Sequence, residues 1–502
     1  MPRSRSVVAA LFLLLFAKAV SGNCLTPAWE SRIPPPPSGL FSTTMVVGDF
    51  DGDGIGDAVF VRGNVFSDTA TFQRGRGNGY FATPVDIYTS TLVGVHNPWG
   101  IKHAVARDLN RDGKLDLLLL ENLTRLVFLA GNGDGTFANP VSSPAATGPT
   151  FAVADLTGDD VDDVAAFYYK ETGFGVVLFL GNLAGTFAET TRIPLPAPPG
   201  AIAMGDLDGD GANDIVAAYN PANLVLLFGN DDGTFDPAVP LANGGSQAIT
   251  IKLADLENDG DLDIVAENDD RLAVHRNRGG RTFDAVTVYP VSEPYTSLRH
   301  QIHSAVADVT GDGELDLVVT TSNHALATLR GLGDGTFDVP RFELFSGSSS
   351  TMAPVGTTDF DGDGRVDVII GQTSFGGLQA VRNRCGDVNV LVTATPPADP
   401  AAYNATVHVS IRGYDDGAEE APPAPATGTV NILQDATVLA TGTLSNGEVT
   451  LNVRGLRPGA YVLVARYEGD DQYEPAESAG VLVRVTQDPV NPPPPRRRAV
   501  RR

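Results

Sequence analysis

Hydrophobic positions in this chain fall in short runs between clusters of Asp, Gly, Asn and Pro, with no helical period: "LLLL" at 117–120, "DIVAAY" from Asp214, "DLVVTT" from Asp316 and "DVIIG" from Asp367. Runs of this length and composition predict strands. Each follows a nine-residue acidic frame that occurs seven times: "DFDGDGIGD" from Asp49, "DLNRDGKLD" from Asp108, "DLTGDDVDD" from Asp155, "DLDGDGAND" from Asp206, "DLENDGDLD" from Asp255, "DVTGDGELD" from Asp308 and "DFDGDGRVD" from Asp359. The first aspartates are spaced about fifty residues apart, the period of repeated supersecondary units such as propeller blades or a solenoid.

Further along each unit comes a Gly-rich turn closing on Phe: "GNGDGTF" (131–137), "GNLAGTF" (181–187), "GNDDGTF" (229–235) and "GLGDGTF" (331–337), with "GRGNGYF" (75–81) and "NRGGRTF" (277–283) as looser copies. Short apolar runs precede it ("LVFLA", "VVLFL", "LVLLF"), so the turn joins a third strand to a fourth. Four strands per unit and seven units predict an all-β chain that closes radially into a seven-bladed β-propeller, which protects the sheet edges. The nonapeptide beside a "GDGTF" turn resembles the FG-GAP or VCBS-type repeats of integrin alpha-subunit propellers and many bacterial surface proteins. The resemblance covers residues 24–385 and implies the propeller fold; it says much less about function.

The last unit stops at "LQAVRNRC", with no "GTF" turn and no fourth strand. "TRIPLPAPPG" (191–200) leads into the fourth acidic frame as "SRIPPPPSG" (31–39) leads into the first, so residues near 27–33 read as the missing strand. Aligning the repeats places Cys24 and Cys385, the only two cysteines, at adjacent positions of the missing turn. A disulfide between them would close a loop of more than three hundred residues, worth about 5–6 kcal/mol on the chain-entropy model. The alternative is two unrelated free thiols.

A hard cation such as Ca2+ takes six to eight oxygens, and a short loop supplies them when alternate side chains turn inward. Positions one, three, five and nine offer side-chain oxygens, and position seven a carbonyl. The expected ligands are Asp49, Asp51, Asp53, Ile55 and Asp57; Asp108, Asn110, Asp112, Lys114 and Asp116; Asp155, Thr157, Asp159, Val161 and Asp163; Asp206, Asp208, Asp210, Ala212 and Asp214; Asp255, Glu257, Asp259, Asp261 and Asp263; Asp308, Thr310, Asp312, Glu314 and Asp316; Asp359, Asp361, Asp363, Arg365 and Asp367. Up to seven calcium ions are expected. The third loop is the weakest site, because Asp160 stands where the other six carry Gly. An EF-hand would continue into a helix and place an acid at its twelfth position; the first copy has Phe60 there and a strand beyond. The plainer alternative is a set of Asp/Gly turns in which Asp bonds its own backbone, which seven copies in register make a poor account.

The net charge of -26 nearly matches the number of these ligand carboxylates and argues against nucleic acid, which needs a basic stripe. Arg3 and Arg5 before an apolar run from Val7 to Phe16, then small residues to Gly22, read as an export signal over residues 1–22. A secreted or cell-surface protein without a transmembrane segment in its mature chain, and monomeric, is expected. From Gly386 the acidic frame stops, and seven alternating strands split by Gly, Pro and Asn predict an Ig-like β-sandwich over 386–487, similar to bacterial Ig-like repeats. A Pro/Arg-rich tail follows over 488–502.

The histidines (His96, His103, His275, His300, His303, His324, His408) form no "HExxH", and there is neither a "GxSxG" elbow nor a phosphate-cradling loop. The expected role is therefore adhesion or binding of a protein or glycan, with calcium structural, rather than catalysis. The alternatives are an extracellular polysaccharide lyase or hydrolase and a structural envelope protein.

Overall fold

The computed structural model describes residues 29–32, 41–63, 68–77, 80–90, 100–145, 148–170, 173–219, 223–244, 248–268, 271–291, 303–320, 325–344, 354–372, 377–383, 388–395, 404–413, 425–435, 437–470, 473 and 475–485. The chain forms two compact units, one spanning Glu30–Asn383 and one holding the chain from Arg384 on. Cys24, Cys385, the expected export signal over 1–22, the Arg-rich tail, His96, His300 and His324 lie outside the described residues. Among the described residues no helix is long and apolar enough to cross a membrane.

The first unit is a ring of seven four-stranded sheets, the blades of a β-propeller. In the second blade the strands are Ile101–Arg107, Asp116–Glu121, Arg125–Leu129 and Val141–Pro144, paired antiparallel in sequence order. The continuous run "LLLL" is explained by what lies on either side of it. Leu118 and Leu120 pack with Val164, Ala166 and Phe179 of the third blade, while Leu117 and Leu119 pack with Val59, Val61 and Phe72 of the first. Successive side chains of a strand point to opposite faces, so a strand covered on both faces needs apolar residues at every position.

The ring closes between the first and last blades. Phe60 and Phe81 meet Phe360 and Ile369 in a shared cluster, Gly56 N donates to Asp359 O at 2.7 Å, and the inner strands Phe41–Gly48 and Val355–Thr358 are neighbours. The seventh blade takes its fourth strand from the N-terminal side, in the order Trp29–Arg32, Gly377–Asn383, Asp367–Gln372, Val355–Thr358.

The second unit is a sandwich of a three-stranded sheet (Val388–Thr395, Asn404–Gly413, Glu448–Arg454) and a second sheet built around Thr429–Gln434 and Gly459–Tyr467. Its core is one apolar cluster, with Ala405, Val407, Val409 and Ile411 facing Val430, Ile432, Leu463 and Tyr467.

Candidate metal centres

All seven acidic frames sit at the same place in their blades, between the inner strand and the second, and each ninth aspartate opens the second strand. The loops share one hydrogen-bond scheme. The first aspartate accepts from the N–H of position six through Oδ2: from Gly54 at 2.9 Å, Gly113 at 2.8 Å, Asp160 at 2.6 Å, Gly211 at 2.9 Å, Gly260 at 2.8 Å, Gly313 at 2.9 Å and Gly364 at 2.8 Å. The fifth accepts from the N–H of position seven, as in Ile55 to Asp53 and Ala212 to Asp210, both 2.9 Å. Lys114, Val161, Asp261, Glu314 and Arg365 donate to Asp112, Asp159, Asp259, Asp312 and Asp363 in the same way.

The ninth aspartates (Asp57, Asp116, Asp163, Asp214, Asp263, Asp316, Asp367) are buried and clamp two elements at once. Asp116 Oδ2 accepts from Leu109 N at 3.0 Å, and its Oδ1 from Gly131 N at 2.8 Å, the first residue of the "GTF" turn. Asp57, Asp214 and Asp316 hold Gly75, Gly229 and Gly331 likewise. The acidic frame and the Phe turn are thus one unit, a link that no local periodicity reveals. A Cβ at Gly131 would stand 2.0 Å from Leu115 O, which accounts for glycine there. Asn277 and Asn383 replace it in the fifth and seventh blades, and their side-chain amides donate to Leu207 O at 2.6 Å and Val309 O at 2.8 Å, on the loop of the preceding blade.

Position six is left-handed in every loop, from Gly54 (φ 82°) to Gly260 (φ 96°) among the glycines, and Asp160 adopts it too at φ 67°. Asp is among the few side chains that tolerate this region, so the third loop keeps the shape of the others. Position four is left-handed as well, at Gly52, Arg111, Gly158, Gly209, Asn258, Gly311 and Gly362. The signal for it was the recurrence of Gly or Asn at that position.

Three loops gather carboxylates closely enough for one ion: Asp49, Asp51 and Asp53; Asp206, Asp208 and Asp210; Asp359, Asp361 and Asp367, each set with ligand atoms within 4.8 Å of one another. The other expected ligands occupy their loops without forming such a group among the described residues. The donor set is all oxygen, which suits a hard cation. Asp51 Oδ1 is buried and accepts no hydrogen bond, so it has capacity left for an ion. Burial without a cation pushes the Asp57 and Asp263 carboxyls up to about 7 and Asp214 and Asp316 to about 6. Asp367 rises to about 9, from burial first and then the charges of Asp361 and Asp363.

His103 stands edge-on to Phe151 at 4.9 Å, and His408 Nδ1 lies 3.1 Å from Thr450 Oγ1. Burial lowers the imidazoles of His103 and His275 to about 4 and depresses that of His303.

Residues 49–119, 108–166, 206–266, 255–319 and 308–370, together more than half of the chain, match the FG-GAP-like repeat, and residues 391–486 match the bacterial Ig-like domain of group 3. The chain belongs to the FG-GAP-like repeat family and carries a C-terminal bacterial Ig-like domain. No curated protein sequence matches it. Among solved structures, it is similar to an Agrocybe aegerita lectin, described as recognising non-reducing terminal N-acetylglucosamine, at 19% identity over 67% of this chain and 87% of the lectin, with a TM-score of 0.45. The Dos1 propeller aligns at 9% identity over 70% of this chain and 81% of its own, with a TM-score of 0.43. At this distance a neighbour's ligand says nothing about this chain's.

Proposed function

We propose that this is an exported calcium-binding propeller whose ions tie together the loops between inner and second strands, and which presents a surface for a protein or glycan ligand outside the cell. The observation that carries the metal reading is the convergence of three carboxylates within 4.8 Å in three loops of one shape. Like charges about 4 Å apart repel by about 1–4 kcal/mol per pair at effective dielectrics of 80 to 20, and a divalent cation removes that cost while coupling folding to metal. The shared hydrogen-bond scheme extends the reading to all seven loops, the third included. The export signal and the Ig-like module, a common spacer in surface proteins, support the extracellular setting.

Equilibrium dialysis of the full chain against calcium, with metal counted by mass spectrometry, tests the first half. Several ions per chain are expected, and none would overturn it. A glycan and matrix-protein array read in calcium and in chelator tests the second half. Calcium-dependent capture is expected, whereas cleavage of an arrayed polysaccharide would replace binding with catalysis.

A further inference from the structure

The third position separates the loops into two kinds. It is acidic in four of them, and each of these acids has an arginine. Asp51 is paired with Arg74, and Asp361 with Arg382. Asp208 meets Arg281 at 2.5 Å, and Glu257 meets Arg278 at 2.7 Å. In the second, third and sixth loops the third position is neutral (Asn110, Thr157, Thr310), and no arginine among the described residues pairs with the ligand carboxylates of the second and third.

The guanidinium groups do not come from one sequence position. Arg74 and Arg382 each directly precede the residue held by the ninth aspartate. In the fourth blade that place belongs to Phe228, and Arg281 arrives instead from the next blade, with its guanidinium 4.3 Å from the Phe228 ring centre. Different residues thus deliver one charge to one place. The third-position acids are nearly removed from solvent, with side chains 2% exposed at Asp51, 6% at Asp208, 8% at Glu257 and 4% at Asp361. A carboxylate so buried needs a counter-charge whether or not metal is present.

We propose that these arginines are resident counter-cations, and that they, rather than the number of carboxylates, set how tightly the first, fourth, fifth and seventh loops hold a divalent cation. One arginine brings the four-acid first, fourth and fifth loops to the same balance as the three-acid second and third loops, so ions meet similar charge in these five. The sixth and seventh loops are the exceptions. The sixth carries Arg330 on Asp312 at 2.8 Å, and in the seventh Arg365 joins Arg382 on Asp363, so these two loops keep the least negative charge and are the weakest binders. The proposal rests on the reading that the loops bind a divalent cation.

The test is calcium titration of the full chain against a chromophoric chelator, with the metal-free melting temperature as a second readout. Arg74→Met is expected to tighten one site about tenfold, the size of a charge at this separation in a partly screened setting, and to lower metal-free melting. Asp51→Asn combined with Arg74→Met should return both readouts toward the original values. Arg278→Met, whose parent side chain is 40% exposed, gives the same reading in the fifth loop if Arg74 also matters for packing. Unchanged or weaker binding in both single variants, while the parent chain binds calcium, overturns this proposal alone. A parent and variants that take up no calcium overturn both this and the metal reading.

Discussion

In the propeller strand Asp116–Glu121 every side chain is buried, because neighbouring blades cover both faces; in the sandwich strand Asn404–Gly413 the apolar core positions alternate along the chain. The difference extends to the polar groups. The propeller buries seven ninth-position carboxylates with Glu121, Glu267 and His275, whereas among the described residues the sandwich buries Ser410 and the Tyr467 hydroxyl but no charged side chain. One unit is tied at a polar rim where charge must be balanced, and the other is held by an apolar core. Strand content alone does not determine what a fold depends on.

The largest expected effect follows from removing metal. With excess chelator the propeller should melt at a markedly lower temperature while the sandwich transition stays put, as two-transition calorimetry would show; a chelator-insensitive first transition would erase the contrast. Next in size is Asp116→Ala, which strands the N–H groups of Leu109 and Gly131 and should cost about 3 kcal/mol. Leu463→Ala should cost a similar amount, but in the sandwich alone. Denaturant unfolding of the two variants followed domain by domain checks the pair, and a loss shared by both transitions would mean the units are not independent.

The smallest effect is a pH dependence confined to the propeller. His275 Nε2 lies 3.1 Å from Asn243 Oδ1, its Nδ1 has no hydrogen-bond partner, and burial lowers its pKa to about 4. The unfolded chain takes up this proton below about 6.5 and the folded chain does not until about 4. Stability is therefore lost as pH falls through that window, by about 2 kcal/mol at pH 5. His275→Gln should abolish the loss. Melting must be compared in saturating calcium, since metal-free Asp57 and Asp263, raised to about 7, pull the other way: their contribution is full below about 4 and fades as pH rises to 7.

The repeat frame, the blade count and the N-terminal strand of the last blade were legible in the sequence because a radial fold states the same local pattern seven times. Left-handed position four was visible in principle, as Gly or Asn in six frames, but Arg111 in the second masks it. The bond from Asp116 to Gly131 spans fifteen residues, and Arg281 crosses from one blade to the next, so neither has a fixed offset that pattern reading can detect. The sandwich showed itself through simple alternation, and its core follows that pattern at Val407, Val409 and Ile411.

The strand Trp29–Arg32 beside Gly377–Asn383 also bears on how the chain folds. Pairings between segments this distant form late, because the entropy of closing the intervening chain must be met first. During synthesis the blades can form one after another, but the seventh sheet and the ring must wait for residue 383. Until then the first-formed strand has no partner and the arc has two open edges, the state in which such a chain is most exposed to pairing with another copy of itself.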